Sequence, residues 1–459
     1  MGMNRVRNRA WIMMVFILVL IGGMSFFLYE YASESADWVT FRGSPHVYQG
    51  SANVTGQILD RDGTVLLDTT DGRSYAQDGT LRQATLHWLG DRQGNIVTPA
   101  LRHYAATMAG FDRLNGVYDY AEAQGAMELT ISGRVQSAAL KAMSGHKGVV
   151  AVYNYKTGQI LCALSTPTYD PDNVPDIAGD TSGTWEGAYL NRFLQSTYPP
   201  GSIFKIVTTA AALENVEGIL DMTFTCDSVY ELGGSRVTCE KAHGQLDLKS
   251  AMARSCNCAY AQIALLVGSD TLMEYVDRFG ITDSVSFDGI TSAEGNFDLT
   301  EADKVALAWS AIGQYTDLIN PCAYMTFMGA IAGGGKAAQP YLVEQVSVGQ
   351  SITYQSQTVT GSQIMSAELA EVLCEYMRNN VEQIYGAGNF PGLTVCAKSG
   401  TSELGGGKTP NAMFSGFVTD EEYPLAFIVV VENGGYGSHT CVPILSAVLA
   451  ECRAVLDGN

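Results

Sequence analysis

The sequence predicts an α+β protein: an antiparallel β-sheet flanked by helices, preceded by an N-terminal transmembrane helix and a small α+β membrane-proximal module. Three observations lead there. Residues 11–29 are apolar and carry no charge; residues 30–140 are polar and rich in turn residues; and residues 141–459 have strand-like runs at both ends of a helical middle. Strands so separated must find each other across the helices, and an antiparallel sheet with helices on its faces is the economical arrangement. A chain of 459 residues with 46% hydrophobic composition holds two or three globular units and a large core. Its net charge of −20 excludes nucleic acid and anionic lipid surfaces as partners.

The stretch WIMMVFILVLIGGMSFFLY, residues 11–29, has the length of about 20 helical residues that a bilayer core demands. Arg5, Arg7 and Arg9 precede it, and Glu30, Glu34 and Asp37 follow. The basic side stays inside, so residues 1–10 form a cytoplasmic tail and everything after the single span is exported. A cleaved signal peptide is the rival, but the run exceeds an ordinary signal core and no small-x-small cleavage site follows it.

In the module of residues 30–140, GQILDRDGTVLLD reads as two strands with a hairpin turn at Asp62 and Gly63. LTISGRVQSAALKAM turns helical after Ile131, and KGVVAVYNYKTGQILCALS reads as two strands joined at Lys156 to Gly158, opening the domain of residues 141–459. Helices follow in the run from Ser202, in SAMARSCNCAYAQIALLV and in EADKVALAWSAIG. Strands return in LTVCAKSGTSE, NAMFSGFVT and PLAFIVVVENG, and PILSAVLAECRAVL closes the chain as a helix.

The ten cysteines form no CxxC pair and no Cys/His cluster at zinc spacing, and the six histidines are scattered. No metal and no cofactor is expected, and most cysteines read as small buried hydrophobes. Cys226 and Cys239 bracket CDSVYELGGSRVTC, a candidate hairpin. An exported pair closing so short a loop is expected to form a disulfide.

YPPGSIFKIVTTAAALE, residues 198–214, puts Ser202 and Lys205 three apart on one helical face. A lone SxxK is ordinarily an N-cap beside a solvated lysine. Here Ile206, Val207, Ala210, Ala211 and Leu213 imply burial on most sides, where an unpaired lysine is costly. Pro199, Pro200 and Gly201 fix where the hydroxyl points. Ser255-Cys256-Asn257 and Lys398-Ser399-Gly400-Thr401 follow in that order, the first beside a helix and the second at the end of a strand. Each is weak alone; SxxK, SxN and KSG together are the set of penicillin-binding proteins and serine β-lactamases.

The chain therefore resembles the acyl-serine transferases that bind penicillin, and in particular the transpeptidase domain of class B penicillin-binding proteins. The resemblance spans roughly residues 140–455 through KGVVAVYNYKTGQILCALSTPTYDP, NRFLQSTYPPGSIFKIVTTAAALE, HGQLDLKSAMARSCNCAYAQIA, AGGGKAAQPYLV and VCAKSGTSELG. GQILDRDG resembles the start of the family's membrane-proximal module. Ser399 stands where many members have Thr, which keeps a hydroxyl. Residues 30–140 are too few for the glycosyltransferase domain of class A members.

The resemblance implies a peptidoglycan D,D-transpeptidase. Ser202 attacks the D-Ala-D-Ala end of a stem peptide, with Lys205 as base, kept neutral by burial and by the charge of Lys398. Ser255 relays the proton to the leaving amine, while Asn257 holds the substrate backbone and orders Lys205. Lys398, Ser399, Gly400 and Thr401 bind the substrate carboxylate and backbone, and the amides of Ser202 and Thr401 stabilise the oxyanion. β-Lactams imitate D-Ala-D-Ala and are expected to acylate Ser202. A membrane protein that polymerises glycan strands is the expected partner. The same motifs also serve a D,D-carboxypeptidase, a serine β-lactamase or, outside catalysis, an idle scaffold or β-lactam sensor.

Overall fold

The computed structural model describes residues 3–40, 48–49, 52–53, 56–70, 72–112, 114, 116–117 and 125–458. Its first helix, Met3–Val39, runs past both ends of the apolar stretch. Trp11, Phe16, Leu20 and Phe27 are exposed along it, so it contributes nothing to the core. Length and composition let it cross a membrane.

Two sheets carry the rest. Strands β1 (Gly56–Leu59), β2 (Val65–Asp68), β3 (Ser74–Tyr75) and β4 (Gly125–Leu129) come from the N-terminal part. The Asp62–Gly63 turn forms as expected: Gly63, at φ +78°, donates its N–H to the Asp60 carbonyl at 3.0 Å. Strands β5 (Gly148–Asn154), β6 (Ile160–Thr166), β7 (Val343–Val348), β8 (Ser351–Gln355), β9 (Val395–Ser402), β10 (Asn411–Val418) and β11 (Leu425–Val431) follow. The order β6-β5-β11-β10-β9 makes a five-stranded, wholly antiparallel sheet. The order β8-β7-β4-β1-β2-β3 makes a six-stranded mixed sheet, parallel only between β1 and β4. Its strands thus come from both sides of residue 141.

Central strand β11, LAFIVVV, is buried at every position. Ala426, Ile428 and Val430 face one apolar cluster; Leu425, Phe427, Val429 and Val431 face the other. A strand covered on both faces needs this continuous apolar run. Helices Gly133–Met143 and Gly437–Leu456 supply one cover, through Val135, Ala139, Ile444, Leu445 and Val448. The helices Lys205–Asn215, Pro321–Ala332 and Ala367–Asn380 supply the other. This second cluster also takes in Ile58, Leu66, Met127 and Leu129, so both sheets share one core. Arg82 forks onto Asp170 at 2.8 and 2.7 Å, a bidentate link between the two parts of the chain.

One expected helix differs. SAMARSCNCAYAQIALLV forms two, Leu248–Ala253 and Asn257–Val267, because Ser255 takes a left-handed φ of +50° between them. The SxN motif occupies the break. The CDSVYELGGSRVTC hairpin forms, with Val229–Leu232 paired to Ser235–Thr238.

Candidate active site

Ser202 lies in a short 3-10 turn, Gly201–Phe204, that runs into the helix starting at Lys205. In such a turn residues three apart eclipse, which brings the lysine under the serine more directly than an α-turn would. The approach is fixed from several sides. Tyr198 exchanges backbone hydrogen bonds with Ile319, at 2.9 Å each way, and Gly201 donates to the Gly313 carbonyl at 2.8 Å. Tyr324 donates its hydroxyl to the Ile203 carbonyl at 2.8 Å.

Lys205 is fully buried. Its Nζ lies 2.7 Å from the Ser255 carbonyl, 2.7 Å from Asn257 Oδ1, 3.0 Å from Ser202 Oγ and 3.1 Å from Ser255 Oγ. The two shortest partners are acceptors only. A neutral amine has two protons and one lone pair, so donating to those two leaves the lone pair for a serine hydroxyl. Burial pushes Lys205 well below the ordinary lysine range, and the charge of Lys398 adds to the shift.

Lys398, equally buried, donates to Ser255 Oγ at 3.0 Å and to the Ser399 carbonyl at 2.9 Å. Burial lowers it to about 7. Ser255 Oγ thus sits between two lysine nitrogens, with its own proton left to give away. Asn257 uses its other end as well: Nδ2 donates to the Thr238 carbonyl at 2.9 Å.

The KSGT segment lies in β9, the edge of its sheet. The N–H and C=O of one residue in an antiparallel strand point the same way, so alternate residues offer both to the open edge. Ala397 O accepts from Asn380 Nδ2 at 3.0 Å, Ser399 N donates to the Tyr385 hydroxyl at 2.9 Å, and Thr401 O accepts from Gln314 Nε2 at 3.2 Å. The Thr401 N–H therefore lies on that same edge. It faces the Ser202 turn, since a Cβ on Gly201 would stand 2.6 Å from Thr401 O. The Ser202 N–H belongs to the first turn of its helix, where amides lack intrahelical partners. Two N–H groups are thus placed for an oxyanion.

The side chains of Ser399 and Thr401 point to the other face. Tyr385, accepting from Ser399 N, has its own proton for Ser399 Oγ 3.0 Å away, which leaves the serine proton free for a carboxylate. Thr401 Oγ1 accepts from Gly437 N at 3.2 Å and likewise keeps its proton. Gly400 has no room for a side chain, because a Cβ would stand 2.9 Å from Pro200 O.

Of the eight residues singled out in the sequence, Ser202, Lys205, Ser255, Asn257 and Lys398 are joined by hydrogen bonds, and Ser399, Gly400 and Thr401 lie along the adjoining strand. Sequence reasoning missed Tyr385, Gln314 and Asn380, which dress the edge of β9 from segments without a motif. One expectation is corrected. Cys226 and Cys239 are free thiols, as are all ten cysteines. They also belong to a cluster of Cys226, Cys239, His243 and Cys256, whose donor atoms all lie within 4.8 Å of one another. Hairpin pairing and the helix break gather residues whose linear spacing matches no zinc motif.

A serine hydroxyl, a buried neutral-leaning lysine, a second serine shared by two lysines and a pair of backbone donors define a serine acyl transferase. The chain belongs to the penicillin-binding protein transpeptidase family: the model of the penicillin binding protein transpeptidase domain matches residues 148–450. It is 30% identical over 369 residues to the peptidoglycan D,D-transpeptidase PbpA of Mycobacterium tuberculosis, with 73% of each chain covered. It is 26% identical over 352 residues to the stage V sporulation protein D of Bacillus subtilis, covering 71% of this chain and 53% of that one. The ceftriaxone acyl-enzyme of M. tuberculosis penicillin-binding protein A superposes with a TM-score of 0.73 at 26% identity, over 86% of this chain and 97% of that one. The D,D-transpeptidase domain of a peptidoglycan glycosyltransferase from Eggerthella lenta gives 0.74 at 25% identity, over 87% and 98%.

Proposed function

We propose that Ser202 is the nucleophile of a peptidoglycan D,D-transpeptidase that cross-links stem peptides and is acylated by β-lactams. Lys205 takes the Ser202 proton as Oγ attacks the carbonyl of the penultimate D-Ala. The oxyanion forms between the amides of Ser202 and Thr401. Ser255 Oγ delivers a proton to the departing D-Ala amine and is resupplied from the lysines that donate to it. The amine of a neighbouring stem peptide then attacks the acyl-enzyme and loses its proton to Lys205, which returns a proton to Ser202 Oγ as the acyl–oxygen bond breaks. Lys398, Ser399 and Thr401 hold the terminal carboxylate, and Gly400 lets the Pro200 turn that carries Ser202 lie close to the strand that binds substrate. Asn257 holds Lys205 in line.

The lone-pair geometry at Lys205 carries this reading. Fluorescent penicillin should label the protein covalently, and Ser202→Ala should abolish labelling while leaving the thermal transition in place. Lys205→Ala should slow acylation by at least about a hundredfold. Labelling that survives Ser202→Ala would remove the nucleophile assignment. Supplying a D-Ala-D-Ala donor with an amine acceptor separates the outcomes: a cross-linked dimer marks a transpeptidase, and water alone as acceptor marks a carboxypeptidase.

The same proposal places residues 1–10 in the cytoplasm, residues 11–29 in the membrane, residues 30–140 as a membrane-proximal module and residues 141–459 outside as the catalytic domain. The exposed apolar helix supports this. A membrane protein that polymerises glycan strands would supply the substrate beside it.

A further inference from the structure

Beside the active site, three thiols and an imidazole converge from four separate places. Cys226 ends a short strand, Phe224–Cys226, whose partner strand Gly244–Leu246 follows His243 directly. His243 donates its backbone N–H to the Cys226 carbonyl at 3.0 Å. Cys239 follows the hairpin strand Ser235–Thr238, and its N–H bonds the Ser228 carbonyl at 2.8 Å. Cys256 caps the helix Asn257–Val267, with Ala259 N donating to its sulfur at 3.4 Å.

The distances fit one tetrahedral ion. Bonds of about 2.3 Å to sulfur and about 2.05 Å to nitrogen put sulfurs about 3.8 Å apart and sulfur and nitrogen about 3.6 Å apart. Here Cys239 and Cys256 sulfurs lie 3.9 Å apart, and His243 Nδ1 lies 3.6 Å from Cys226 Sγ and 3.4 Å from Cys239 Sγ. The amides of Asn257 and Cys258 point at the Cys239 sulfur, an environment that suits a metal-bound thiolate. Cys258 stays outside the set, its sulfur turned to the Val237 carbonyl at 3.8 Å. A disulfide would use two of these sulfurs and leave the third thiol and the imidazole converging on nothing.

We propose that Cys226, Cys239, His243 and Cys256 hold a zinc ion in a closed structural site that clasps the 229–238 hairpin to the Ser255–Asn257 motif. Four protein ligands leave no open position, and a thiolate-rich tetrahedron selects zinc over harder cations. Asn257 spans from Lys205 to the Thr238 carbonyl. Cys256 and Cys239 are the chain neighbours of those two ends, so the ion fastens both sides of the Asn257–Thr238 hydrogen bond. This effect on the site rests on the role given to Asn257 above; the metal site itself rests on the ligand geometry alone.

The test uses the full chain in detergent micelles, purified under reducing conditions. Elemental analysis should find about one zinc per chain, and cobalt exchanged for it should show the visible bands and near-ultraviolet sulfur charge transfer of a tetrahedral thiolate site. His243→Ala and Cys226→Ser should each lower metal affinity by about tenfold or more, and His243→Cys should restore it with a shifted cobalt spectrum. Chelation should slow acylation of Ser202 by fluorescent penicillin about tenfold, reversed by zinc. A featureless cobalt spectrum overturns the site, and so does a disulfide among these cysteines mapped in the chain taken directly from membranes. Zinc bound with acylation indifferent to chelation overturns the clasp. The cobalt spectrum needs no nucleophile, so loss of the Ser202 assignment would leave it unchanged.

Discussion

Burying two lysines around one serine oxygen sets stability against function. Lys398 is lowered by burial to about 7 from an ordinary 10.5. A cation depressed on folding costs nothing above its unfolded value, costs progressively more as pH falls, and reaches its full cost below the folded value. That window runs from about 10.5 to about 7, and its full depth is at most about 5 kcal/mol. Lys398→Met should therefore gain stability relative to the parent as pH is lowered through this window, while penicillin acylation collapses. Thermal unfolding of both proteins at pH 7 and pH 10 reads the difference. An offset equal at both values would mean that the lost hydrogen bonds to Ser255 and Ser399 outweigh the charge. SxxK, SxN and KSGT were legible because each motif is local in the chain. Tyr385 was not, being one of 23 tyrosines with nothing nearby to mark it. Nor was the Cys226–His243 grouping, which exists only once Phe224–Cys226 pairs with Gly244–Leu246.

At the level of elements, Ser202 is placed by a contact between a turn and a strand edge. Gly201 has φ +54°, and a Cβ there would stand 2.6 Å from Thr401 O and 2.9 Å from Thr401 C. Gly313 closes the other side, its own added Cβ meeting Gly201 O at 2.3 Å. Left-handed backbone costs an ordinary residue about 1–2 kcal/mol before any clash, so Gly201→Ala should destabilise by about 2 kcal/mol or more. It should also slow acylation at least about tenfold, because the turn must back away from the amide of Thr401. Denaturant unfolding and penicillin-labelling rates check the two effects separately; an unchanged rate would show that the gap between turn and strand is not critical. The five-stranded sheet and its covering helices were readable from runs such as PLAFIVVVENG, since a doubly covered strand must be apolar throughout. The partnership of β4 with β7 was not, because residues 125–129 and 343–348 carry no local sign of each other. The broken helix at Ser255 was not readable, because Arg254, Ser255 and Asn257 could equally mark the solvent side of a continuous helix.

On the scale of the whole molecule, one long helix, exposed along its apolar stretch, precedes a body in which both sheets share a core. The aromatic group of Phe27, Tyr31 and Trp38 gathers toward its C-terminal end, as side chains do at a membrane interface. On the proposed topology, protease added to intact spheroplasts should digest everything beyond the anchor and leave a membrane-bound fragment containing residues 11–29. Protection of the body would reverse the orientation. The net charge of −20 adds no attraction to an anionic membrane surface, so on the proposed topology the apolar helix alone would hold the protein there.

The pairing of β4 with β7 also orders events in time. The chain is synthesised N-terminus first, so β1, β2, β3 and β4 are made long before their last partners. Until residue 348 has been added, β4 has β1 on one side and an unclaimed edge on the other. Such an edge invites pairing with the wrong chain. The part synthesised first is consequently among the last to be completed, and a half-built sheet has to be sheltered while more than two hundred further residues are added.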